Sequence, residues 1–159
     1  MKPTVVLIPG IYPKASESIF RAIRESWAET DYEILVLENA DERDLESKVG
    51  RIKSKILVGK SYGGKLAIEY QIRHKDAEAL VLLAPAVNVK EQFREIKIPV
   101  LIIHGTDDRV VPIDNSRELE KQFERSSFVA VQGAEHGYRG KELETAKIIV
   151  NWIKSLTHS

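Results

Sequence analysis

The chain has 159 residues, 24 basic and 24 acidic, so its formal net charge is zero. Electrostatics therefore gives no reason to expect a nucleic-acid backbone or an anionic membrane as partner. The 43% hydrophobic and 30% charged composition is that of a soluble globular protein, long enough for one domain spanning residues 1–159, and the absence of cysteine excludes disulfides, thiolate catalysis and cysteine-held metals.

In chain order, short apolar runs alternate with longer amphipathic ones. Thr4–Ile8 is continuously apolar and reads as a strand buried on both faces. The same run is too short for a signal-peptide core or a membrane span, which makes a cytoplasmic location the expectation. Ser16–Trp27 follows with helical spacing at Ile19, Phe20, Ile23 and Trp27. Strand Glu33–Leu37, helix Glu42–Ile52, strand Lys55–Val58 and helix Tyr62–Arg73 continue the alternation. Strands Ala79–Leu83 and Val100–Ile103, helix Ser116–Phe123 with a cap expected at Asp114 or Asn115, strand Phe128–Val131 and helix Lys141–Leu156 complete it. Strand–helix alternation of this kind predicts an α/β fold, a doubly wound three-layer sandwich around a parallel sheet. Such sheets bind ligands beyond the carboxyl ends of their strands.

The segment Gly59-Lys60-Ser61-Tyr62-Gly63-Gly64 lies between a strand and a helix. A sharp turn there leaves the Ser61 hydroxyl exposed above the sheet and forces the residues two before and two after it against neighbouring backbone, which Gly59 and Gly63 permit. Gly64 extends the small surface and lets the helix approach the strand. The pattern G-x-S-x-G alone recurs by chance; the strand before it and the helix after it give it weight. A phosphate-binding loop is the competing motif, but the preceding glycine and the four-residue spacer are missing. The helix start aims backbone N–H groups, that of Tyr62 among them, at the place where an oxyanion would form.

A serine hydroxyl needs a base. Of four histidines, His74 ends a charged helix and reads as solvated, His158 lies in the C-terminal tail, and His104 ends a strand where a structural hydrogen bond suits it. His136, in the loop Gly133–Tyr138 after the last strand, is the candidate base rather than an ordinary surface histidine. The third member should be a carboxylate after the fifth strand, holding the imidazole in the right tautomer. Asp107 and Asp108 are both available; neighbouring loop side chains diverge, so only one is expected to reach His136, and of the two Asp108 is favoured, with Asp107 expected to stabilise the turn. A second oxyanion donor should come from the loop after the first strand, Pro9-Gly10-Ile11-Tyr12, with the Ile11 N–H as candidate.

At these residues the chain resembles an α/β-hydrolase. The resemblance covers nearly its whole length and rests on Gly59–Gly64, on His104-Gly105-Thr106-Asp107-Asp108-Arg109-Val110-Val111-Pro112 and on Ala134-Glu135-His136-Gly137. The order serine, aspartate, histidine matches, and the family pattern H-G-x-x-D-x-x-V-P places the acid at Asp108. The resemblance implies six parallel strands in the order 2-1-3-4-5-6, a reduced form of that fold without its two leading antiparallel strands. The family's oxyanion loop, commonly H-G-G or H-G-x, appears here as Pro9-Gly10-Ile11. Many members carry a cap domain in the interval that here is only Ala84–Ile98, with Val89, Phe93 and Ile96, so an open, shallow acyl site similar to that of small carboxylesterases is expected.

The expected function is cleavage of small acyl esters by a serine hydrolase acting through Ser61, Asp108 and His136, with no metal or organic cofactor. A thioesterase or peptidase using the same three residues is one rival; a non-catalytic ligand-binding protein on this fold is another. The expected partner is a small acyl substrate, with no nucleic acid and no membrane, and a homodimer could cover the uncapped apolar rim. Lys14, Lys60 and Lys65 could form a positive rim for acidic substrates, although exposed lysines more often only keep a surface soluble.

Overall fold

In the computed structural model, which describes residues 2–28, 30–88 and 93–156, the apolar runs form one sheet. Its strands are β1 (Thr4–Ile8), β2 (Ile34–Val36), β3 (Lys55–Lys60), β4 (Ala79–Leu83), β5 (Val100–Gly105) and β6 (Ser126–Val131). All neighbours pair in parallel, in the order β2-β1-β3-β4-β5-β6. Parallel strands need covered crossovers, and the intervening segments supply them as α1 (Glu17–Ser26), α2 (Glu42–Val49), α3 (Tyr62–His74), α4 (Ile113–Glu120) and α5 (Glu142–Leu156). No helix among the described residues is long and apolar enough to cross a membrane.

Strand alternation divides the core into two layers. Val5, Leu7, Ile56, Val58, Val81 and Ile103 face α1 and α5, meeting Ile19, Ile23, Ile149 and Ile153. Val6, Ile8, Leu57, Leu80, Leu82 and Ile102 face the other way, meeting Leu45 and Val49 of α2, Leu66 and Ile68 of α3 and Leu119 of α4. This is the three-layer α/β sandwich that the alternation of apolar and amphipathic runs predicts.

Several boundaries differ from the sequence reading. A short 3-10 turn, Pro13–Ser16, precedes α1 and takes Ser16 out of the helix. α4 begins at Ile113, behind Pro112, without a side-chain cap, so neither Asp114 nor Asn115 caps it. Pro112 itself occupies the cap position, at φ −59° and ψ 138°, and its ring offers no acceptor to the first-turn N–H groups. The interval after β4 buries Phe93 and Ile96 against the α2–α4 layer, with the Phe93 ring stacked on Phe123 at 5.6 Å between centroids. Val89 lies outside the described residues.

Candidate active site

The carboxyl ends of β1, β3, β5 and β6 carry the segments singled out in the sequence, and the fold brings them to one edge of the sheet. Ser61 stands between β3 and α3 with φ 56° and ψ −119°. Positive φ is costly for a residue with a Cβ, and it persists where surrounding structure holds it. Here the Ser61 N–H donates to Leu83 O at 2.8 Å, and Ser61 O accepts from Gly64 N at 3.0 Å and Ala86 N at 3.1 Å.

The two elbow glycines are required by close approach. A Cβ at Gly59 would lie 2.3 Å from Gly63 O, and one at Gly63 would lie 2.2 Å from Ile8 O and 2.5 Å from Pro9 O. The start of α3 is thereby pressed against the end of β1, where the Pro9–Tyr12 loop begins. Gly64 is less constrained: a Cβ there would lie 3.1 Å from the Pro85 side chain.

His136 Nε2 lies 3.2 Å from Ser61 Oγ, and its Nδ1 lies 2.8 Å from Asp108 Oδ2. A carboxylate only accepts, so in the neutral ring Nδ1 carries the proton and Nε2 is left to accept from the serine hydroxyl. Asp108 is itself held. Its Oδ1 accepts from Val110 N and Val111 N, both at 2.8 Å, and His104 Nε2 approaches Oδ2 at 3.1 Å. Burial works to raise the Asp108 carboxyl, but the hydrogen bonds from His104, His136, Val111 and Val110 outweigh it and carry the group far below the usual carboxylate range. Asp107 is exposed, accepts from Thr106 Oγ1 at 3.3 Å and takes no part in this chain.

His104 has the structural place expected of it. It is fully buried, its Nε2–H donates to Val111 O at 2.7 Å, and its Nδ1 accepts from Ser116 Oγ at 2.6 Å. It therefore fixes the loop that presents Asp108. His74 is exposed, as expected of it; it pairs at the surface with Glu46 Oε2 at 2.5 Å, and its ring tilts against Tyr70 at 4.4 Å. His158 lies outside the described residues.

The Pro9–Tyr12 loop passes directly over the serine, since a Cβ at Gly10 would lie 3.4 Å from Ser61 Cβ and 3.9 Å from Ser61 Oγ. Neither the Ile11 N–H nor the Tyr62 N–H donates to a backbone carbonyl outside the regular elements among the described residues. The side chains of Ile11 and Tyr12 are 64% and 79% exposed, and Val110 on the Asp108 loop is 70% exposed, which gives the edge an apolar rim. A cavity of about 360 Å³ is lined by Pro9, Phe20, Arg21, Arg24 and Val36 among others, and takes in none of Ser61, Asp108 or His136.

Three features were not read from the sequence. Glu135 caps the turn behind His136, accepting from Gly137 N at 3.0 Å and Arg139 N at 2.8 Å. Tyr138 is fully buried at φ 60°, and its hydroxyl donates to Ile103 O at 2.7 Å, tying the histidine loop to β5. Lys60 is only 1% exposed and so cannot belong to a positive rim; Lys14 and Lys65 are exposed. Among the described residues no group of three or more histidine, aspartate or glutamate side chains is arranged so that it could hold a metal ion.

Known proteins bear on this geometry. The AB hydrolase superfamily protein YisY of Bacillus subtilis is 35% identical over 57 residues, covering 35% of this chain and 21% of that protein. The chain spans between 21% and 47% of the length of the curated relatives it matches. Among solved structures, Est1E from Butyrivibrio proteoclasticus superposes with a TM-score of 0.85 at 15% identity, over 99% of this chain and 89% of that one. The esterase RhEst1 from Rhodococcus sp. ECU1013 superposes with a TM-score of 0.77 at 17% identity, over 98% and 91%. At such identities these likenesses show the shared fold. The family model described as the alpha/beta hydrolase family matches residues 28–143, well over half of the sequence, and the chain belongs to that family.

Proposed function

We propose that the chain is a serine hydrolase that cleaves small acyl esters through an acyl-enzyme on Ser61. The observation that carries this reading is the continuous chain from Ser61 Oγ through the His136 ring to Asp108 Oδ2, with gaps of 3.2 Å and 2.8 Å. A serine at a strained turn, a base with its acceptor nitrogen toward that serine and a buried carboxylate on the other nitrogen are the parts of nucleophilic acyl transfer.

His136 Nε2 takes the Ser61 proton as Oγ attacks the ester carbonyl. The carbonyl π electrons move to oxygen, and the resulting oxyanion is met by the N–H groups of Ile11 and Tyr62. Asp108 stabilises the imidazolium and holds its orientation. His136 then protonates the departing alcohol, the C–O bond breaks, and an acyl-Ser61 remains. Water, deprotonated by the same nitrogen, attacks that acyl group; collapse of the second tetrahedral adduct releases the acid and restores Ser61. The open edge and the apolar side chains of Ile11, Tyr12 and Val110 support an acyl group of modest size lying across the surface.

A panel of nitrophenyl esters of increasing acyl length, with matched thioesters and peptide anilides, tests the reading. The short-chain esters should be hydrolysed. Ser61→Ala and His136→Ala should each lose nearly all of that activity, and the double variant little more, because the residues act as a unit. Preference for thioesters or anilides would move the chain to another acyl-transfer class. Binding without turnover, unchanged in Ser61→Ala, would remove it from the enzymes.

A further inference from the structure

The loop over Ser61 has a second neighbour. Pro9 and Pro13, at its two ends, both line the cavity of about 360 Å³. Gly10, between them, stands so close to the serine that a Cβ there would lie 3.9 Å from Ser61 Oγ. One short loop therefore joins the candidate nucleophile to the cavity. The rest of the wall comes from one face of α1, where Glu17, Phe20, Arg21 and Arg24 follow helical spacing, and from the end of β2 at Val36 and Glu38. The volume falls within the range of about 300–1,000 Å³ typical of small-molecule sites, and Phe20 and Val36 supply the apolar lining such sites use.

The charges in this lining are unanswered. Arg21 and Arg24 are exposed, and neither has an ion pair or a side-chain hydrogen bond among the described residues. They stand three residues apart on α1, where like charges repel. Elsewhere the chain gives exposed cations a partner: Arg73 lies 2.6 Å from Glu46, and Lys97 lies 2.6 Å from Glu124. Glu17 stands four residues before Arg21, a spacing at which a helix can bring opposite charges together, yet the two form no ion pair. Glu17 and Glu38 both oppose an anion in the cavity, but Arg24 sits about 10 Å along the helix from Glu17. Guanidinium groups suit a carboxylate, which can take two parallel N–H···O bonds from one of them.

On the hydrolase reading above, we propose that this cavity is a substrate subsite for a carboxylate, held by Arg21 and Arg24. The substrate class it assigns is an ester that carries a free carboxylate remote from the scissile bond. Such an ester spans the Pro9–Pro13 loop, with its reacting carbonyl at Ser61 and its apolar middle against Phe20 and Val36.

The test compares kcat/KM for pairs of esters that differ only in a terminal carboxylate or carboxamide. One series carries the group on the acyl half, as monoethyl esters of straight-chain diacids of increasing length. The other carries it on the leaving half, as acyloxybenzoates against acyloxybenzamides. In one series the carboxylate-to-carboxamide ratio of the wild type should exceed that of the double variant Arg21→Gln/Arg24→Gln by about tenfold, equivalent to about 1.4 kcal/mol. The series that shows the difference identifies the half that enters the cavity. Arg21→Glu/Arg24→Glu should lower the ratio further, and about 1 M salt, where the Debye length is ~3 Å, should shrink the wild-type preference. A ratio taken on one protein is unmoved by a general loss of fold or catalysis. Should the double variant fail to fold, Arg24→Gln and the salt dependence make the same comparison. Esters hydrolysed with equal ratios in the wild type and the variants, in both series, would overturn the subsite alone. A folded wild type that hydrolyses no ester, carboxamides included, would overturn the hydrolase reading and this proposal together.

Discussion

Asp108 turns one carboxylate oxygen to the His136 ring, with His104 Nε2 3.1 Å from the same atom, and keeps the other for its own loop. Oδ2 lies 2.8 Å from Nδ1 of the ring, and Oδ1 accepts the two amides of Val110 and Val111. This division predicts the effect of Asp108→Asn. An asparagine oxygen can still hold the two amides, but the NH2 group placed toward His136 cannot accept its Nδ1 proton. The ring is driven to the other tautomer, with its proton toward Ser61. Ester hydrolysis should fall by about 10⁴-fold while the chain still folds. Activity assays beside a thermal melt check this; full activity in Asp108→Asn would contradict it.

The same carboxylate sets an acid limit on stability. Burial opposes its ionisation, yet hydrogen bonds from His104, His136, Val111 and Val110 place it far below the value of about 3.9 expected in the unfolded chain. The unfolded state therefore binds the extra proton first as pH falls. The contribution of Asp108 is fully present above the unfolded value and is lost as pH drops through the folded one. The urea midpoint of the wild type should decline from about pH 5 to about pH 2, and that of Asp108→Asn should decline less. Parallel slopes would show that other carboxylates govern the acid limb.

The elbow glycines should differ sharply in tolerance. Gly59→Ala and Gly63→Ala each drive a Cβ to within 2.3 Å or 2.2 Å of a carbonyl oxygen, so backbone must move. Each should cost more than about 3 kcal/mol and cut ester hydrolysis severely. Gly64→Ala meets a proline side chain at 3.1 Å, which can yield by a few tenths of an ångström. It should cost no more than about 1 kcal/mol and keep most activity. Chemical denaturation of the three variants ranks them directly.

Most of this architecture was legible because the strands are apolar on both faces: runs such as Val5–Ile8 and Leu80–Leu83 have no other stable place than a covered parallel sheet. Ser61 was legible because its glycines answer to backbone contacts that a strand–turn–helix imposes. The H-G-x-x-D-x-x-V-P resemblance singled out Asp108 over Asp107, and the structure sets Asp108 against His136. Lys60 was grouped with the exposed lysines because the glycine pattern does not say where its variable side chains point, and the structure buries it. Extending the β3 alternation through Gly59 would have put Lys60 on the Ile56–Val58 face. The start of α4 was missed because a proline enters that helix without the polar cap that sequence signals rely on. The place of Tyr138 depends on a tertiary contact with Ile103 of β5, which no local pattern encodes, whereas the cap that Glu135 puts on Gly137 and Arg139 is a local signal that was passed over.

Away from the site, Lys55 makes a separate prediction. Its ammonium is fully buried between Tyr70 Oη and Asp76 Oδ2. Removing the carboxylate leaves the charge without its counter-ion, so Asp76→Ala should destabilise the chain by about 2 kcal/mol. Lys55→Met removes the buried charge itself and should cost less than Asp76→Ala. Neither change should alter the pH dependence of ester hydrolysis, because the pair lies at the opposite end of β3 from Ser61. Melting curves and pH–rate profiles of the two variants separate these effects.

The central claim is that Ser61 is a nucleophile activated by His136 and Asp108. Mapping a fluorophosphonate adduct by mass spectrometry on folded wild-type chain at neutral pH tests it most directly. One adduct per chain is expected, carried by the peptide containing Ser61, absent in Ser61→Ala and strongly slowed in His136→Ala and Asp108→Asn. A folded chain that acquires no adduct, or one that is modified at Ser61 equally fast without His136, would contradict it.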